Sequence, residues 1–453
     1  MDKKKINKCK CAYCGNEDFE VPKEIIEAIK EEKLVVFAGA GISTEGKGVY
    51  KTSLYSDVNN ELNEKNDNSF PELMTKYCNK PNGRRKLINK IRDRFEYYKS
   101  FSEIDSVMNQ FFYPLADIYS IKEIITTNWD RQFEEKCGCI PIVYNSDIPL
   151  LDESKRVVYK IHGSIDNIGT LIMTQSDYDR CYMELRENLI GSRIKYLLSN
   201  KTVVFIGYSL EDEDLKKIWQ FIDDCLGDLK PHFFIVSPDE KLKEKLKDRN
   251  VTIINTIGSN FIQKIRKQLV EEGYIFESEL LYSLASSILT IALKEHTEAN
   301  KRFHNEKNAL LIYSISYQDG IIHALKRMLS RECYGEYMNP DFLCDSIYSY
   351  KKLYEEYSNE DLMFDESYIC GYVHAMEFIY YIYNKIYNGE KTNPNDTICL
   401  YYLPKNKLYN DLEEFNKDMK AFKVKKYINI ANEILENFGN EDFEYEIHHL
   451  PFL

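Results

Sequence analysis

The stretch that decides the fold is Val35-Val36-Phe37-Ala38-Gly39-Ala40-Gly41-Ile42-Ser43. It predicts a short buried strand that runs directly into two glycines separated by one alanine. Glycines allow a tight turn and bring backbone N–H groups close to a diphosphate. The dehydrogenase fingerprint Gly-x-Gly-x-x-Gly would need a third glycine where the chain has Thr44, and no Gly-Lys-Ser/Thr follows as in a Walker A loop. By itself, the stretch therefore predicts only a nucleotide-binding turn of another kind.

Alternating apolar and helical segments surround this turn over the first 270 residues. Strands are predicted at Leu34–Ala38, Glu123–Thr127, Val157–Ile161, Val203–Ile206, Phe233–Val236 and Val251–Ile254. Helices are predicted at Pro22–Glu32, Trp129–Lys136, Gln175–Leu198, Glu211–Leu226 and Asn260–Glu272. Alternation of this kind predicts an α/β domain with a Rossmann-like, doubly wound parallel sheet, in which ligands lie beyond the carboxyl ends of the strands. The polar residues Lys47–Pro71 fit either a flap over the nucleotide or a mobile insertion.

Strand signals nearly vanish from Tyr274 onward, and an all-α domain is predicted there. Its helices are expected at Ser278–Asn300, Arg302–Arg331, Pro340–Tyr357, Glu366–Asn388 and Val424–Asn437. The predicted organisation is thus an N-terminal cysteine-containing tail (1–21), a nucleotide-binding α/β domain (22–273) and a helical C-terminal domain (274–453). The helical region holds 21 of the 35 tyrosines, and packing at helix–helix seams is favoured over a partner surface.

Three further motifs follow predicted strands. Thr127-Asn128-Trp129-Asp130 places an amide and a carboxylate at a strand end, although either group often only caps the next helix. His162-Gly163 offers a histidine suited to general base catalysis, although a lone histidine is more often structural. Gly207-Tyr208-Ser209-Leu210 precedes an acidic helix start, where Asp212 and Asp214 suit the positive end of the helix. Each motif alone is weak evidence for an active site, but the four motifs in this order along the chain are specific evidence.

In this order the motifs resemble the sirtuin family, and in particular the sirtuin-like domains of bacterial antiphage systems, over roughly residues 22–270. The resemblance implies NAD⁺ as substrate. It assigns Gly39, Ala40, Gly41, Ile42 and Ser43 to the cofactor loop, with Thr127, Asp130, Gly207 and Ser209 as further cofactor-binding residues. It also implies catalytic roles for Asn128, which would hold a water or ribose hydroxyl, and for His162 as general base.

Two departures from the family pattern affect the parts that protein-deacylating sirtuins use to bind an acyl-lysine substrate. Protein-deacylating sirtuins carry two Cys-x-x-Cys pairs after the catalytic histidine, but between His162 and Gly207 this chain has only Cys181. The family's Gly-Ile-Pro-Asp-Phe-Arg stretch is replaced by Gly46-Lys47-Gly48-Val49-Tyr50. The resemblance therefore implies an NAD⁺ hydrolase that depletes the cofactor in an infected cell. A protein deacylase, an ADP-ribosyltransferase and a non-catalytic NAD-sensing module remain alternatives.

Composition, charge and cysteine spacing limit the partners, the location and the metals that we expect for this chain. The net charge of −13 and pI near 5.3 argue against a nucleic-acid-binding protein. No secretory signal or membrane span is recognised, so a cytoplasmic protein is expected, with a homo-oligomer and a phage-derived trigger or partner acting through the helical domain. Cys9, Cys11 and Cys14 could form part of a zinc site, but a clean second pair is missing, so a reduced tail is favoured and no metal is assigned.

Overall fold

The computed structural model describes residues 16, 18–44, 52–64, 68–208, 213–227, 231–239, 242, 246, 249–359, 362–391, 396–405, 407–438 and 446–451. They form two compact units. The first extends to Gly273 and also includes Cys333–Gly335, whereas the second comprises Tyr274–Glu332 and the residues from Glu336 onward.

A seven-stranded sheet forms the centre of the first unit. Its strands are β1 (Leu34–Ala38), β2 (Glu123–Thr126), β3 (Ile140–Ile142), β4 (Val157–Lys160), β5 (Thr202–Ile206), β6 (Phe233–Val236) and β7 (Val251–Ile254). The spatial order is β3-β4-β2-β1-β5-β6-β7, and all neighbours are parallel. The order reverses at β1, because β2 lies on one side of it and β5 on the other. The predicted Rossmann-like parallel sheet is confirmed, and ligands of such sheets bind at the reversal point.

Twelve helices accompany this sheet among the described residues. They are α1 (Lys23–Lys30), α2 (Gly41–Thr44), α3 (Leu54–Leu62), α4 (Phe70–Cys78), α5 (Gly83–Lys99), α6 (Ser102–Met108), α7 (Phe112–Asp117), α8 (Gln132–Cys137), α9 (Gln175–Glu184), α10 (Leu189–Asn200), α11 (Glu213–Leu226) and α12 (Gly258–Glu271). All six predicted strands are present. The edge strand β3 was missed because it has only three residues, one of them a proline.

The helix predicted at Gln175–Leu198 is in fact two helices. The side chain of Asn188 accepts a hydrogen bond from the N–H of Gly191 at 2.7 Å and so caps the second helix, α10. A Cβ atom at Gly191 would lie 1.6 Å from the carbonyl oxygen of Leu185. This close approach of the backbone requires glycine and separates the two helices.

Helices α3 to α7 form an insertion between β1 and β2 that the sequence analysis did not predict. Part of the polar stretch Lys47–Pro71 lies in α3 and at the start of α4. Helices α3, α4 and α5 enclose a small core with Val58, Leu73 and Leu87 fully buried. Leu171 and Met173, which follow the His162-Gly163 motif, belong to the same core. The insertion therefore packs against the chain segment that leaves the candidate site.

The second unit is helical, as predicted, with the addition of one small hairpin and of one helix that was not predicted, Leu412–Ala421. Its helices are α13 (Ser278–Asn305), α14 (Leu311–Ser330), α15 (Pro340–Asn359), α16 (Met363–Tyr387), α17 (Leu412–Ala421) and α18 (Lys425–Phe438), and the antiparallel strands are β8 (Tyr401–Leu403) and β9 (Lys407–Tyr409). The helix predicted at Arg302–Arg331 is wrong in its first part, because α13 continues to Asn305 and Lys307 then adopts a left-handed backbone with φ of 52°.

Two glycines bring α14 and α16 close together. A Cβ atom at Gly320 would lie 2.0 Å from the carbonyl oxygen of Tyr368, and one at Gly371 would lie 1.9 Å from that of Tyr317. Tyr317 and Tyr368 are almost fully buried. Tyrosines thus fill the helix–helix seams of this unit, which agrees with the packing interpretation. Across the described ranges, no helix has the length and apolar character that a membrane span requires.

Candidate active site

The strand register brings the four sequence motifs to one edge of the sheet. Ala38 on β1 pairs with both Thr126 on β2 and Ile206 on β5, and Thr126 pairs with Lys160 on β4. Each motif begins just beyond these positions, at the carboxyl ends of parallel strands. Asn128 and His162 each lie two residues past the paired positions of neighbouring strands. The structure therefore gathers the predicted site residues that it describes at the edge where such sheets bind ligands.

The glycine turn is packed against the end of β5. The N–H of Gly39 donates to the carbonyl of Ile206, and that of Gly41 donates to the carbonyl of Gly207, both at 2.8 Å. A Cβ atom at Gly39 would lie 2.6 Å from the ring of Tyr208, and one at Gly41 would lie 2.7 Å from the carbonyl oxygen of Gly207. Gly207 itself has a φ of 79°, which favours glycine. The contact between these two motifs therefore requires glycine on both sides.

Ala40 and Ile42 complete the turn in different ways. Ala40 is exposed at its tip, whereas Ile42 is buried in the short helix α2. Tyr208, next to Gly207, is buried and donates its hydroxyl to the carbonyl of Ala38 at 3.1 Å, and Thr127 Oγ1 lies 3.4 Å from the same hydroxyl. Ser209 lies outside the described residues.

Ser43, Asn128 and Asp130 form one buried hydrogen-bonded cluster. The Oγ atom of Ser43 donates to Oδ2 of Asp130 at 3.1 Å, and Nδ2 of Asn128 donates to Ser43 Oγ at 3.3 Å. All three side chains are less than a tenth exposed. The carbonyl oxygen Oδ1 of Asn128 is buried and has no hydrogen-bond partner among the described residues. An unpaired buried acceptor is costly, so this atom is available for a donor group of a ligand.

Asp130 also fixes the turn that follows β2. Its Oδ1 atom accepts the N–H of Gln132 at 3.0 Å, and its backbone carbonyl accepts a hydrogen bond from Lys160. Lys160 is itself buried and pairs with Glu134 at 2.8 Å. One carboxylate oxygen of Asp130 thus binds the first N–H of α8, although the N-cap residue of this helix is Arg131, and the other oxygen holds Ser43.

His162 is buried in the first unit, and its side chain is only 1% exposed. Burial lowers the pKa of its imidazole from 6.5 to about 3, because the charged form loses its hydration. Its Nε2 atom lies 3.2 Å from the hydroxyl of Tyr182, and its Nδ1 atom lies 3.7 Å from a carboxylate oxygen of Asp214. Tyr178 packs edge-on against the ring and donates its hydroxyl to Asp214. At neutral pH the imidazole is therefore uncharged.

Tyr178, Tyr182 and Asp214 were not predicted as site residues. Both tyrosines lie on α9, and their spacing of four residues places them on one face of that helix. Nothing in the local sequence connects that face with His162, which lies on another element. Asp214 was expected to stabilise the start of α11. It does lie in the first turn of that helix, and it also faces the histidine.

The cysteines considered as zinc ligands do not form a described site. Cys9, Cys11 and Cys14 lie outside the described residues. The nearest candidate partners in the sequence are Cys137 and Cys139 or Cys78. All three have free thiols, and Cys137 and Cys139 are buried. Burial raises the pKa of the Cys137 thiol to about 12, so it is protonated at neutral pH.

Comparisons with known proteins agree with this arrangement. Residues 122–254 match the family model described as a SIR2-like domain. The chain is 30% identical to the NAD(+) hydrolase ThsA of Cytobacillus dafuensis over 213 residues, which are 45% of this chain and 41% of that protein. It is 24% identical to the NAD(+) hydrolase ThsA of Bacillus cereus over 334 residues, 68% of this chain and 64% of that protein. It is 26% identical to defense-associated sirtuin 2 of Bacillus subtilis over 294 residues, 58% of this chain and 27% of that protein.

The chain thus spans less than two thirds of the length of each of these relatives. The family match includes β2, β4 and β5 with the residues Asn128, His162 and Gly207. The glycine turn precedes the matched residues, but the structure joins it to Gly207 by a hydrogen bond. The chain therefore contains a SIR2-like, that is sirtuin-like, domain.

Proposed function

We propose that this chain hydrolyses NAD⁺ to ADP-ribose and nicotinamide and that it acts in antiphage defence by depleting the cofactor. The observation that carries the proposal is the meeting of Ser43, Asn128 and Asp130 in one buried cluster, at the sheet edge where His162 also lies. The names of the relatives, NAD(+) hydrolase and defense-associated sirtuin, support the same reaction and setting.

NAD⁺ would lie across the carboxyl edge of the sheet at the reversal point beside β1. The glycine turn, with Gly39, Ala40, Gly41 and Ile42, would receive the diphosphate because its backbone can approach a ligand closely. Gly207 supports this turn from β5, and Ser209 would contact the diphosphate or ribose. Thr127 and Asp130 would hold the nicotinamide end of the cofactor.

Hydrolysis requires cleavage of the bond between C1′ of the ribose and the nicotinamide nitrogen. The electron pair leaves with nicotinamide, and a water oxygen bonds to the oxocarbenium-like C1′. Asn128 would orient this water or a ribose hydroxyl through the unpaired Oδ1 atom. His162 would accept the proton of the water and later release it to solvent, which balances the reaction.

Burial of His162 affects the timing of this proton transfer. Its imidazole is uncharged at neutral pH and can accept a proton, but a pKa of about 3 makes it a weak base. Water becomes much more acidic once its oxygen bonds to the electron-poor C1′. We therefore propose that bond cleavage comes first and deprotonation follows, with the Tyr182 hydroxyl giving way at Nε2 when water enters.

The second unit is proposed to sense a phage-derived trigger or to join copies of the chain into a homo-oligomer. Its own core and its separation as a compact unit support this, because none of the proposed site residues belongs to it. We place the protein in the cytoplasm, where NAD⁺ is available. The free thiols of the nine described cysteines support a reducing compartment.

The test is product analysis with purified protein and NAD⁺, with and without an acetylated peptide. We expect free nicotinamide and ADP-ribose without peptide, and loss of both products in His162→Ala and Asn128→Ala. His232→Ala is a matched control, because His232 is an exposed histidine of the same unit. Products that form only with peptide would instead show a deacylase, and binding of NAD⁺ without products would show a sensing module.

An enzyme that is inactive until a phage-derived trigger is present would form no products in the purified sample. A second experiment therefore supplies the trigger in infected cells. Cells that express the parent chain or His162→Ala are infected with a panel of phages, and NAD⁺ is measured over the infection. We expect NAD⁺ to fall in parent cells alone. The proposal is refuted if NAD⁺ is stable both in these cells and with the purified protein.

A further inference from the structure

A cluster of two histidines and one aspartate lies in the second unit, where the proposed NAD⁺ chemistry has no part. His296 belongs to α13, Asp319 to α14 and His448 to the C-terminal residues 446–451. One ligand atom of each residue lies within 4.8 Å of the other two. His296 and Asp319 are 1% exposed, whereas the side chain of His448 is 54% exposed. Three separate segments of the chain thus meet at one partly open point.

The distances in this cluster suit a metal of the zinc type. Nε2 of His296 lies 3.2 Å from Oδ1 of Asp319, and Nδ1 of His448 lies 3.0 Å from the same oxygen. Two ligands at ~2.0–2.1 Å from a tetrahedral zinc ion are separated by roughly 3.3 Å. Nε2 of His296 is buried and has no hydrogen-bond partner among the described residues, despite the nearby carboxylate. A metal ion bound between this nitrogen and the Asp319 carboxylate would satisfy both groups.

The charge of Asp319 favours a cation at this point. A buried carboxylate needs a positive partner or metal coordination. Its hydrogen-bond and ion-pair partners among the described residues are His296, His448 and the backbone N–H of His449, and none of these is a lysine or arginine. The two imidazole rings stack at 4.7 Å with an angle of 11° between their planes.

A second carboxylate lies on the opposite side of the two rings. Oε2 of Glu446 is 3.6 Å from Nδ1 of His296 and 3.7 Å from Nε2 of His448. These are the nitrogens that do not face Asp319. Histidines that bind metals usually direct their other N–H to a carboxylate or carbonyl, which orients the ring. Glu446 lies just beyond hydrogen-bond distance of both nitrogens, and Nδ1 of His296 also contacts Nδ2 of Asn300 at 3.4 Å.

We propose that His296, Asp319 and His448 bind one divalent transition-metal ion of the zinc type, which fastens residues 446–451 to α13 and α14. Other contacts already guide this segment. The N–H of Ile447 donates to Oδ1 of Asn300 at 2.8 Å, and the ring of His449 stacks on Tyr368 at 4.5 Å. The metal then adds the strongest connection between the C-terminal segment and the helices. Its site is separate from the NAD⁺ chemistry and stands or falls independently of it.

The test is zinc binding to the full chain, loaded with zinc sulfate, desalted and analysed for metal by mass spectrometry. All proteins carry serine in place of the three N-terminal cysteines, so that their thiolates contribute no zinc: Cys9, Cys11 and Cys14. We expect about one zinc ion per chain in this parent and close to none in His448→Ala or Asp319→Asn. His323→Asn is the matched control, since it removes a histidine of α14 that lies outside the cluster, and it should retain the metal.

Thermal unfolding supplies a second measurement. With zinc at about 100 times its dissociation constant, we expect the melting temperature of the parent to rise by several degrees, and that of His448→Ala to remain unchanged. Because His448 is half exposed, its replacement by alanine leaves the fold intact. If Asp319→Asn fails to fold, the zinc content of His448→Ala tests the proposal. The proposal is overturned if the parent retains no zinc, or if His448→Ala retains as much as the parent.

Discussion

The burial of His162 predicts a specific pH dependence of stability for the first unit. In an unfolded chain a histidine has a pKa near 6.5, whereas burial lowers that of folded His162 to about 3. Between these two values the unfolded chain binds a proton that the folded chain does not bind. Acid therefore favours unfolding, and stability is lost as the pH falls from 6.5 towards 3.

The magnitude follows from the two pKa values. Each pKa unit corresponds to about 1.4 kcal/mol. At pH 8 both states are uncharged at this residue, and its contribution to the pH dependence is zero. At pH 5 the unfolded form is favoured by protonation of a group with a pKa near 6.5, which amounts to about 2 kcal/mol. His162→Gln removes this group, so its stability should fall by about 2 kcal/mol less than that of the parent between pH 8 and pH 5.

The assay is urea unfolding at the two pH values, followed by tryptophan fluorescence. The chain has two tryptophans, Trp129 and Trp219, and both lie in the first unit. The signal therefore reports this unit and leaves out the second, which contains the other six histidines of the chain. His232→Gln is the matched control, because His232 is the one other histidine of the first unit and lies at its surface.

The comparison between pH 8 and pH 5 is made within each variant. A loss of stability caused by glutamine in the pocket that is the same at both pH values therefore cancels from this difference. The reasoning is refuted if the parent and His162→Gln lose the same stability between the two pH values. In that case His162 would titrate alike in the folded and unfolded chain, and its burial as a neutral group would be wrong.

Three further predictions concern contacts of single residues. Tyr182→Phe removes the hydroxyl next to Nε2 of His162 and leaves this buried nitrogen without that partner, so we expect the first unit to lose roughly 1–3 kcal/mol of stability in urea unfolding; an unchanged stability would contradict this contact. Gly41→Ala places a Cβ atom 2.7 Å from a backbone carbonyl, whereas Gly169→Ala meets nothing within 4 Å, so calorimetric titration with ADP-ribose should show at least tenfold weaker binding in the first variant alone. Gly320→Ala brings a Cβ atom 2.0 Å from the facing helix and should destabilise the second unit by roughly 1–3 kcal/mol; unchanged thermal unfolding by circular dichroism would contradict the close helix crossing.

Local sequence patterns predicted much of the first unit. The apolar runs Leu34–Ala38 and Phe233–Val236 are strands with the predicted bounds, because a strand buried on both faces needs continuous apolar residues. The order of motifs also led to Asn128 and His162 before any geometry was known. Helices α3 to α7 were missed, and α3 lies within the polar, weakly patterned stretch Lys47–Pro71. The hairpin of Tyr401–Leu403 and Lys407–Tyr409 was also missed, since three-residue strands carry too little pattern.

The sequence by itself determined the kind of sheet and which motifs follow its strands, because strand burial and glycine turns depend on neighbours along the chain. Only the tertiary structure decided what those residues contact. It placed Ser43 between Asn128 and Asp130, and it enclosed His162 beneath α9 with Tyr182 at Nε2. It also brought His296, Asp319 and His448 together across 153 positions of the chain. The hydrogen bonds and pKa values of these side chains depend on their distances to remote segments of the chain and on their burial. A local sequence pattern contains no information about these distances or this burial.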